Sequence, residues 1–455
     1  MVTDPVVAAL RAELPSVTYQ LGDDAFVAAT TPDNSSFPQR PAAVVRACSV
    51  DDVARAVAVA SRCGSRVVVQ ATGHGAAAPI GPEAVLLDTS ALNAVDVDPS
   101  ARVARVGTGA MWPAVQAAAA PHGLLGLSGT SPTVGVGGYT FSGGIGWFVR
   151  KYGLASAALR SVEYVDGAGR IRRAASDARE SLDREALWAF RGGAPVGMAT
   201  SIEIDLFDVP DLWTGYLLWS ADALSAVAAA WAAATATVGP SVTSSLSLLH
   251  LPPEGPFPDE LLGTTVVHLS YASPDGGAHL ESMREAVCAA AVPVVDTTAA
   301  GDVESLAQIH LDPPTAVPAR GTGRWLGAPA GHLVAAVFGA ARIGHPGGLN
   351  MIELRHTDSQ PIGPEGAMTT VPAPFLLHAV GIGADDDSRH RTDDVLSAVE
   401  EAGRAADVGR SAPSFREGQP DAADALPPAD RDRLRAIRDA LDPDRALAFG
   451  RHPVP

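Results

Sequence analysis

Residues 129–146 read Gly-Thr-Ser-Pro-Thr-Val-Gly-Val-Gly-Gly-Tyr-Thr-Phe-Ser-Gly-Gly-Ile-Gly. Seven of these eighteen positions are glycine and none is charged. Ordering so much glycine costs backbone entropy, so a compensating contact is expected. The natural one is a large, flat, polar cofactor lying on bare main chain, held by N–H groups that form anion-binding nests. Val134, Val136, Tyr139, Phe141 and Ile145 interleave with the glycines. That pattern separates the block from a flexible linker, which is rich in Gly and Ser and poor in apolar side chains.

Working outward, Val44-Val45 reads as a short strand, and Ser49 caps a helix that sets Val53, Ala56, Val57 and Ala60 on one face. Gly64 ends that helix, and residues 66–70 form the next strand. It stops at Ala71-Thr72-Gly73-His74-Gly75, a strand running into a glycine-flanked loop of the kind that holds phosphates. Residues 84–88 and 103–107 read as strands, and residues 111–122 as a helix closed by Gly123. Residues 162–171 read as a hairpin around Asp166-Gly167-Ala168-Gly169. Residues 201–207 alternate as a strand. From about residue 211 the texture changes. Ala-rich helices such as 224–238 alternate with apolar strands expected at 264–269, 333–338, 350–355 and 375–381. Residues 431–441 read as a last helix. The expected organisation is a cofactor domain over 1–210, a second domain over 211–400, and a C-terminal segment, 401–455, that returns to the first.

At 455 residues the chain has room for two or three domains. Its 47% hydrophobic and 18% charged residues describe a globular protein. A net charge of −18 argues against nucleic acid, which needs clustered Lys and Arg. No run of about 18 apolar residues suggests a membrane span. The start, Met-Val-Thr-Asp-Pro, reaches Arg11 and Glu13 without an apolar segment, so no secretory leader is expected. Three scattered cysteines, Cys48, Cys63 and Cys288, give neither a disulfide framework nor a metal spacing, and a reducing cytoplasm fits. A single lysine, Lys151, among 33 Lys and Arg, with abundant Ala, Gly and Pro, suggests a GC-rich bacterial genome.

These pieces, in this order, resemble the FAD-linked oxidases with a PCMH-type flavin domain, and within them the berberine-bridge-enzyme-like branch of the vanillyl-alcohol oxidase superfamily. The resemblance rests on Pro41-Ala-Ala-Val-Val, Ser49-Val-Asp-Asp-Val, Thr72-Gly73-His74, Leu87-Asp88, Gly107-Thr-Gly109 and the glycine-rich block. It continues through Arg150-Lys-Tyr-Gly-Leu154, Leu187-Trp-Ala-Phe-Arg-Gly-Gly193 and Gly197-Met-Ala-Thr200. It implies an α+β fold: a two-part FAD-binding domain, and a substrate domain whose mainly antiparallel sheet, backed by helices, covers the flavin. It implies FAD, held by Ala71, Thr72, Gly73, His74, Gly75, Gly129, Ser131, Thr133, Val134, Gly135, Gly138, Ser142, Gly143, Gly144, Gly146, Gly197 and Ile202. His74 matches the histidine that bonds to the flavin 8α carbon. Ser131 stands where two-anchor members carry cysteine, and a hydroxyl lacks thiolate nucleophilicity, so one covalent link is expected. Val134 occupies the position that gates oxygen.

Flavin oxidation of a C–H bond also needs a group that handles the accompanying proton. No tyrosine follows Tyr271, so the branch's C-terminal tyrosine is absent, and its Asn-Tyr region appears as Pro413-Ser414-Phe415. His378, on the strand matching the one that bears the catalytic acid in relatives, is one candidate. A lone histidine in an apolar strand is more often a core residue hydrogen-bonded to the backbone, and that reading stands beside the catalytic one. Glu353 is another; period 2 sets it with Arg355 opposite Ile352, Leu354 and His356, and either face could meet the flavin. Tyr139, which replaces a common histidine, is the third. Two functions stay open. One is an FAD-dependent oxidase or dehydrogenase of a small organic molecule, with molecular oxygen as acceptor and an alcohol, an amine or a secondary-metabolite intermediate as the expected substrate. The other is a flavin-binding protein without net redox turnover, acting as a cyclase or binding module.

Overall fold

The computed structural model describes residues 4–313, 315–359, 361–450 and 453. Its first sheet orders the strands Thr18–Tyr19, Ala43–Arg46, Ala84–Asp88, Arg66–Gln70 and Leu447–Ala448. All neighbours run parallel except the first pair. The helix Val50–Arg62 covers it. Ser49 Oγ accepts from Asp52 N at 3.2 Å, Asp51 and Asp52 complement the helix N-terminus, and Val53, Ala56, Val57, Val59 and Ala60 are buried. The second sheet is antiparallel, in the order Val95–Asp98, Val103–Gly107, Met198–Asp205, Leu159–Val165 and Ile171–Ala175. Together these sheets form the two-part flavin-domain architecture, with the glycine-rich block alongside.

A large antiparallel sheet occupies the middle of the chain. Its central strands run Trp213–Ser220, Thr265–Ser273, Thr243–His250, Met351–His356, Phe375–Ile382, Ala319–Leu326 and Asp407–Ser411. The helices Leu224–Thr235, Ala278–Ala290, Ala330–Val337 and Asp386–Gly403 cover one face. They pack on Leu246, Leu248, Val267, Leu269, Ile352, Leu354, Leu377 and Ala379. Strand alternation then sends Ser245, Ser247, His268, Ser270, Glu353, Arg355 and His378 to the opposite face, toward the flavin domain.

One expected strand is wrong. Residues 333–338 lie in the helix Ala330–Val337 and its C-cap. An apolar run of this length carries no period of its own, and Ala335-Ala336 after Pro329 favours a helix wedged between the sheet and its neighbours. The two parts of the molecule are tied by Arg150, whose guanidinium donates to the carbonyls of Asp358 at 3.0 Å, Gly239 at 2.7 Å and Val242 at 2.6 Å. Among the described residues no helix is long and apolar enough to cross a membrane.

Candidate active site

A cavity of about 1320 Å³ lies between the flavin domain and the polar face of the large sheet. Small-ligand sites occupy roughly 300–1,000 Å³, so this one has room for a dinucleotide and a second small molecule. Residues 71–75 and 133–135, with Gly129, Ser131, Gly138, Ser142 and Gly197, line one side. A Cβ added at Gly75 or Gly138 would meet nothing within 4 Å, and one at Gly135 nothing closer than 3.7 Å. The wall is therefore bare main chain that a flat ligand can lie against. These residues fit FAD.

Gly73 makes the turn that presents His74. Its φ is 83°, and a Cβ there would stand 2.4 Å from Pro32 Cβ, so only glycine fits. His74 Nε2 lies 2.8 Å from Thr133 Oγ1 and 3.3 Å from Asp33 Oδ2. Ser131 Oγ is 3.2 Å from Thr133 Oγ1. Burial pushes the Asp33 carboxyl up, against the pull of His74 and a hydrogen bond with Thr72.

The facing wall is organised by register. His268, Ser247, Glu353, His378 and Gly323 form one row across five strands. His378 reaches the cavity, where its Nε2 is 3.4 Å from Glu417 Oε2 and its ring meets Phe415 edge-on. Glu353 does not reach it. This fully buried carboxylate accepts from Arg355 Nη2 at 2.8 Å through Oε1, and from Ser245 Oγ and His310 Nε2, both at 2.8 Å, through Oε2. Burial opposes the charge, but Arg355 and His310 hold the Glu353 carboxyl well below its usual range. Burial likewise disfavours a charged His310, yet Asp312 at 3.0 Å and Glu353 push its pKa up to about 10. The four groups form a charge-balanced chain, buried at Arg355, Glu353 and His310 and part-exposed at Asp312, whose His310–Asp312 end lines the cavity. As a carboxylate with every oxygen engaged, Glu353 is a fixed counter-ion rather than a proton acceptor.

Tyr139 lines the cavity, but its ring packs edge-on against Trp112 and its hydroxyl is buried without a partner. Burial raises that hydroxyl above its ordinary range, and nearby Arg355 only partly offsets it, so Tyr139 serves packing better than proton transfer. Gly143, Gly144, Gly146 and Ile202 are not on the wall. A Cβ at Gly143 would strike Met368, at Gly144 Ala155 and Tyr139, and at Gly146 the Ser128 carbonyl oxygen 1.9 Å away. These glycines shape the turn behind the cavity, and Ile202 is core. Sequence reading missed Asp33, His310, Asp312 and Glu417. The alternation His310-Leu311-Asp312 was the one local signal available. It also missed the Pro-rich loop 251–257 and Ala448, Phe449 and Gly450, which complete the cavity.

Residues 41–175 match a known family, the FAD binding domain. The chain carries an FAD-binding domain. That span holds most strands of the first two sheets and the glycine-rich block, and the whole chain has the fold of berberine-bridge-enzyme-like proteins. It superposes on the Physcomitrella patens BBE-like 1 structure with a TM-score of 0.81, at 18% identity over 99% of each chain. The 6-hydroxy-D-nicotine oxidase of Arthrobacter nicotinovorans gives 0.79, at 21% identity over 94% of this chain and 95% of that one. By sequence, (R)-6-hydroxynicotine oxidase of Paenarthrobacter nicotinovorans is 31% identical over 205 residues, 42% of this chain and 43% of that protein. O-acetylstemmadenine oxidase of Catharanthus roseus is 34% identical over 140 residues, 30% of this chain and 25% of that protein. The aligned segments thus span less than half the length of these two relatives.

Proposed function

We propose that the chain is an FAD-dependent oxidoreductase, working as an oxidase on a small organic molecule, with its flavin joined to the protein through His74 alone. The observation that carries this reading is one cavity with bare glycine main chain on one side and the His378–Glu417 pair on the other. Bound FAD would supply the hydride acceptor. His378, with Glu417 3.4 Å from its Nε2, would take the substrate's O–H or N–H proton. Pro252, Pro256 and Phe257 would give the substrate an apolar surface, and Val134 would leave oxygen a path. Ser131, engaged with Thr133, would form no second bond. The names of the two sequence relatives above support (R)-6-hydroxynicotine and O-acetylstemmadenine as the start of a substrate panel.

The test has two parts. Acid-denatured wild-type protein should keep its yellow flavin, and His74→Ala should release it. Anaerobic addition of a turned-over substrate should bleach the flavin, and air should restore it. Product formed while the flavin stays oxidised would instead establish a cyclase that uses flavin as a template. Absence of flavin after reconstitution with FAD would reject both.

A further inference from the structure

The loop after the helix Val303–Gln308 delivers two ionisable side chains to the cavity wall, His310 and Asp312. The large sheet pins this loop. His268 Nε2 lies 3.0 Å from the Ile309 carbonyl oxygen, and His310 Nε2 is 2.8 Å from Glu353. Leu311, between the two ionisable groups, has a φ of 63°, a left-handed backbone that a leucine seldom takes without compensation. Charge alternates outward from Arg355 to Glu353 at 2.8 Å, to His310 at 2.8 Å and to Asp312 at 3.0 Å. The chain therefore turns its negative end to the cavity. Burial favours the neutral acid at Asp312, but His310 holds the carboxyl below its ordinary range. Asp312 Oδ1 meets His310, Oδ2 has no hydrogen-bond partner, and 23% of the side chain stays open. An ionised carboxylate accepts through both oxygens, so this one has acceptor capacity to spare.

Apolar side chains line the same cavity. Met351 pairs in register with Leu249 and Val380, one row along the sheet face from Glu353 and His378. Rows on one face lie about 6–7 Å apart. Phe257 and Leu311 pack into one cluster with Leu249 and Met351, and all of these residues line the cavity. Among the described residues of the wall, Arg66 is the only Arg or Lys, and it belongs to the first sheet rather than the large one.

We propose that Asp312 is the counter-ion of the substrate: the site takes an amine in its protonated form, with the ammonium on the Asp312 carboxylate and an apolar body along Leu249, Leu311 and Met351. The inference rests on the reading of this cavity as the substrate site of an oxidoreductase, and names its substrate class. A cation continues the alternation of the charge chain by one more member. Its N–H groups make charge-assisted hydrogen bonds to the carboxylate, about twice as strong as those between neutral partners. A neutral alcohol makes a weaker bond there, and an anionic ligand is repelled.

Full-length wild type and Asp312→Asn, loaded with FAD, would be titrated calorimetrically without oxygen. The probes are 2-phenylethylamine, 2-phenylethanol and phenylacetate, which share a phenyl body and differ in charge. Wild type should bind the amine at least about tenfold more tightly than the alcohol, the low end for a hydrogen bond to a charged group, and phenylacetate more weakly than either. Asp312→Asn should bring the amine and the alcohol within about threefold of each other, with the alcohol near its wild-type affinity. Melting curves and flavin content would establish that the variant is folded. A crystal structure of wild type with the amine needs no variant, and its nitrogen should lie within about 3.2 Å of an Asp312 carboxylate oxygen. Failure of wild type to bind the amine, equal affinity for amine and alcohol, an undiminished preference in folded Asp312→Asn, or a nitrogen bound elsewhere would overturn the proposal. An ammonium preference in a protein whose flavin no amine or alcohol bleaches would defeat the oxidoreductase reading and leave Asp312 as a cation site. Bleaching by alcohols with no ammonium preference would do the reverse.

Discussion

Replacing Glu353 with Gln probes the charge chain that ends at the cavity wall. Three donors, from Ser245, His310 and Arg355, converge on this fully buried carboxylate. An amide keeps the shape but brings two donors of its own and no charge. Arg355 and protonated His310 would then face Asp312 alone. Breaking a buried pair by removing one partner costs about 3–5 kcal/mol. With an unfolding entropy of roughly 2.1 cal/mol/K per residue, a domain of about 190 residues would melt roughly 8–12 °C lower. The effect should depend on pH. His310 is raised in the folded state, so its contribution is full below its ordinary value of 6.5 and fades as pH climbs toward about 10. Glu353 is depressed, so its contribution is present above its ordinary value of 4.5 and fades in acid. In E353Q, raising the pH from about 7 to 9 lets His310 shed the proton that Glu353 had helped to hold. The deficit against wild type should therefore shrink over that range. Thermal unfolding by circular dichroism, at matched flavin content, measures both. A midpoint within about 2 °C of wild type at neutral pH, or a deficit that ignores pH, would refute the charge-chain account.

His378→Ala and Glu417→Gln should each lower kcat, the first by about 10²–10⁴-fold as expected for loss of a general base, with flavin binding retained. Stopped-flow reduction with a turned-over substrate measures this, and unchanged rates would exclude the pair. Gly73→Ala forces a Cβ against Pro32 at a positive φ; flavin occupancy should drop, read from the absorbance ratio of purified protein, and full occupancy would contradict the turn's role. Val134→Ile should slow reoxidation in air while leaving anaerobic bleaching unchanged. Equal reoxidation rates would remove Val134 as the oxygen gate.

The cavity's glycine wall has local signals. Gly135 and Gly138 belong to a glycine-rich run and Gly73 to a strand-ending loop, although what rules out a side chain at Gly73 is the distant Pro32, and the helix Val50–Arg62 announces itself through Ser49 and its apolar face. Period 2 separated Glu353 and Arg355 from Ile352 and Leu354. It could not say which set meets the flavin domain, because four helices elsewhere in the chain decide that. Asp33, His310, Asp312 and Glu417 stand on irregular segments whose geometry is set by distant partners, such as Val317 for Asp33 and Glu353 for His310. A one-dimensional pattern carries no record of such pairings. Gly143, Gly144 and Gly146 show the opposite error: each is hemmed in by neighbouring protein atoms, Met368 at the first, Ala155 and Tyr139 at the second and the Ser128 carbonyl at the third, rather than by the cavity.

The strand Leu447–Ala448 seals the edge of the first sheet beside Arg66–Gln70, the strand that leads into the His74 loop. At about 5–20 residues per second, a ribosome delivers those two strands roughly tens of seconds apart. The edge next to the histidine loop therefore waits, unpaired, until residues 447–448 have emerged. A polypeptide cut short before residue 447 would lack Ala448, Phe449 and Gly450 from the wall of the cavity. On the proposed reading, yellow colour in a cell extract would report chains that have reached that strand rather than total protein made.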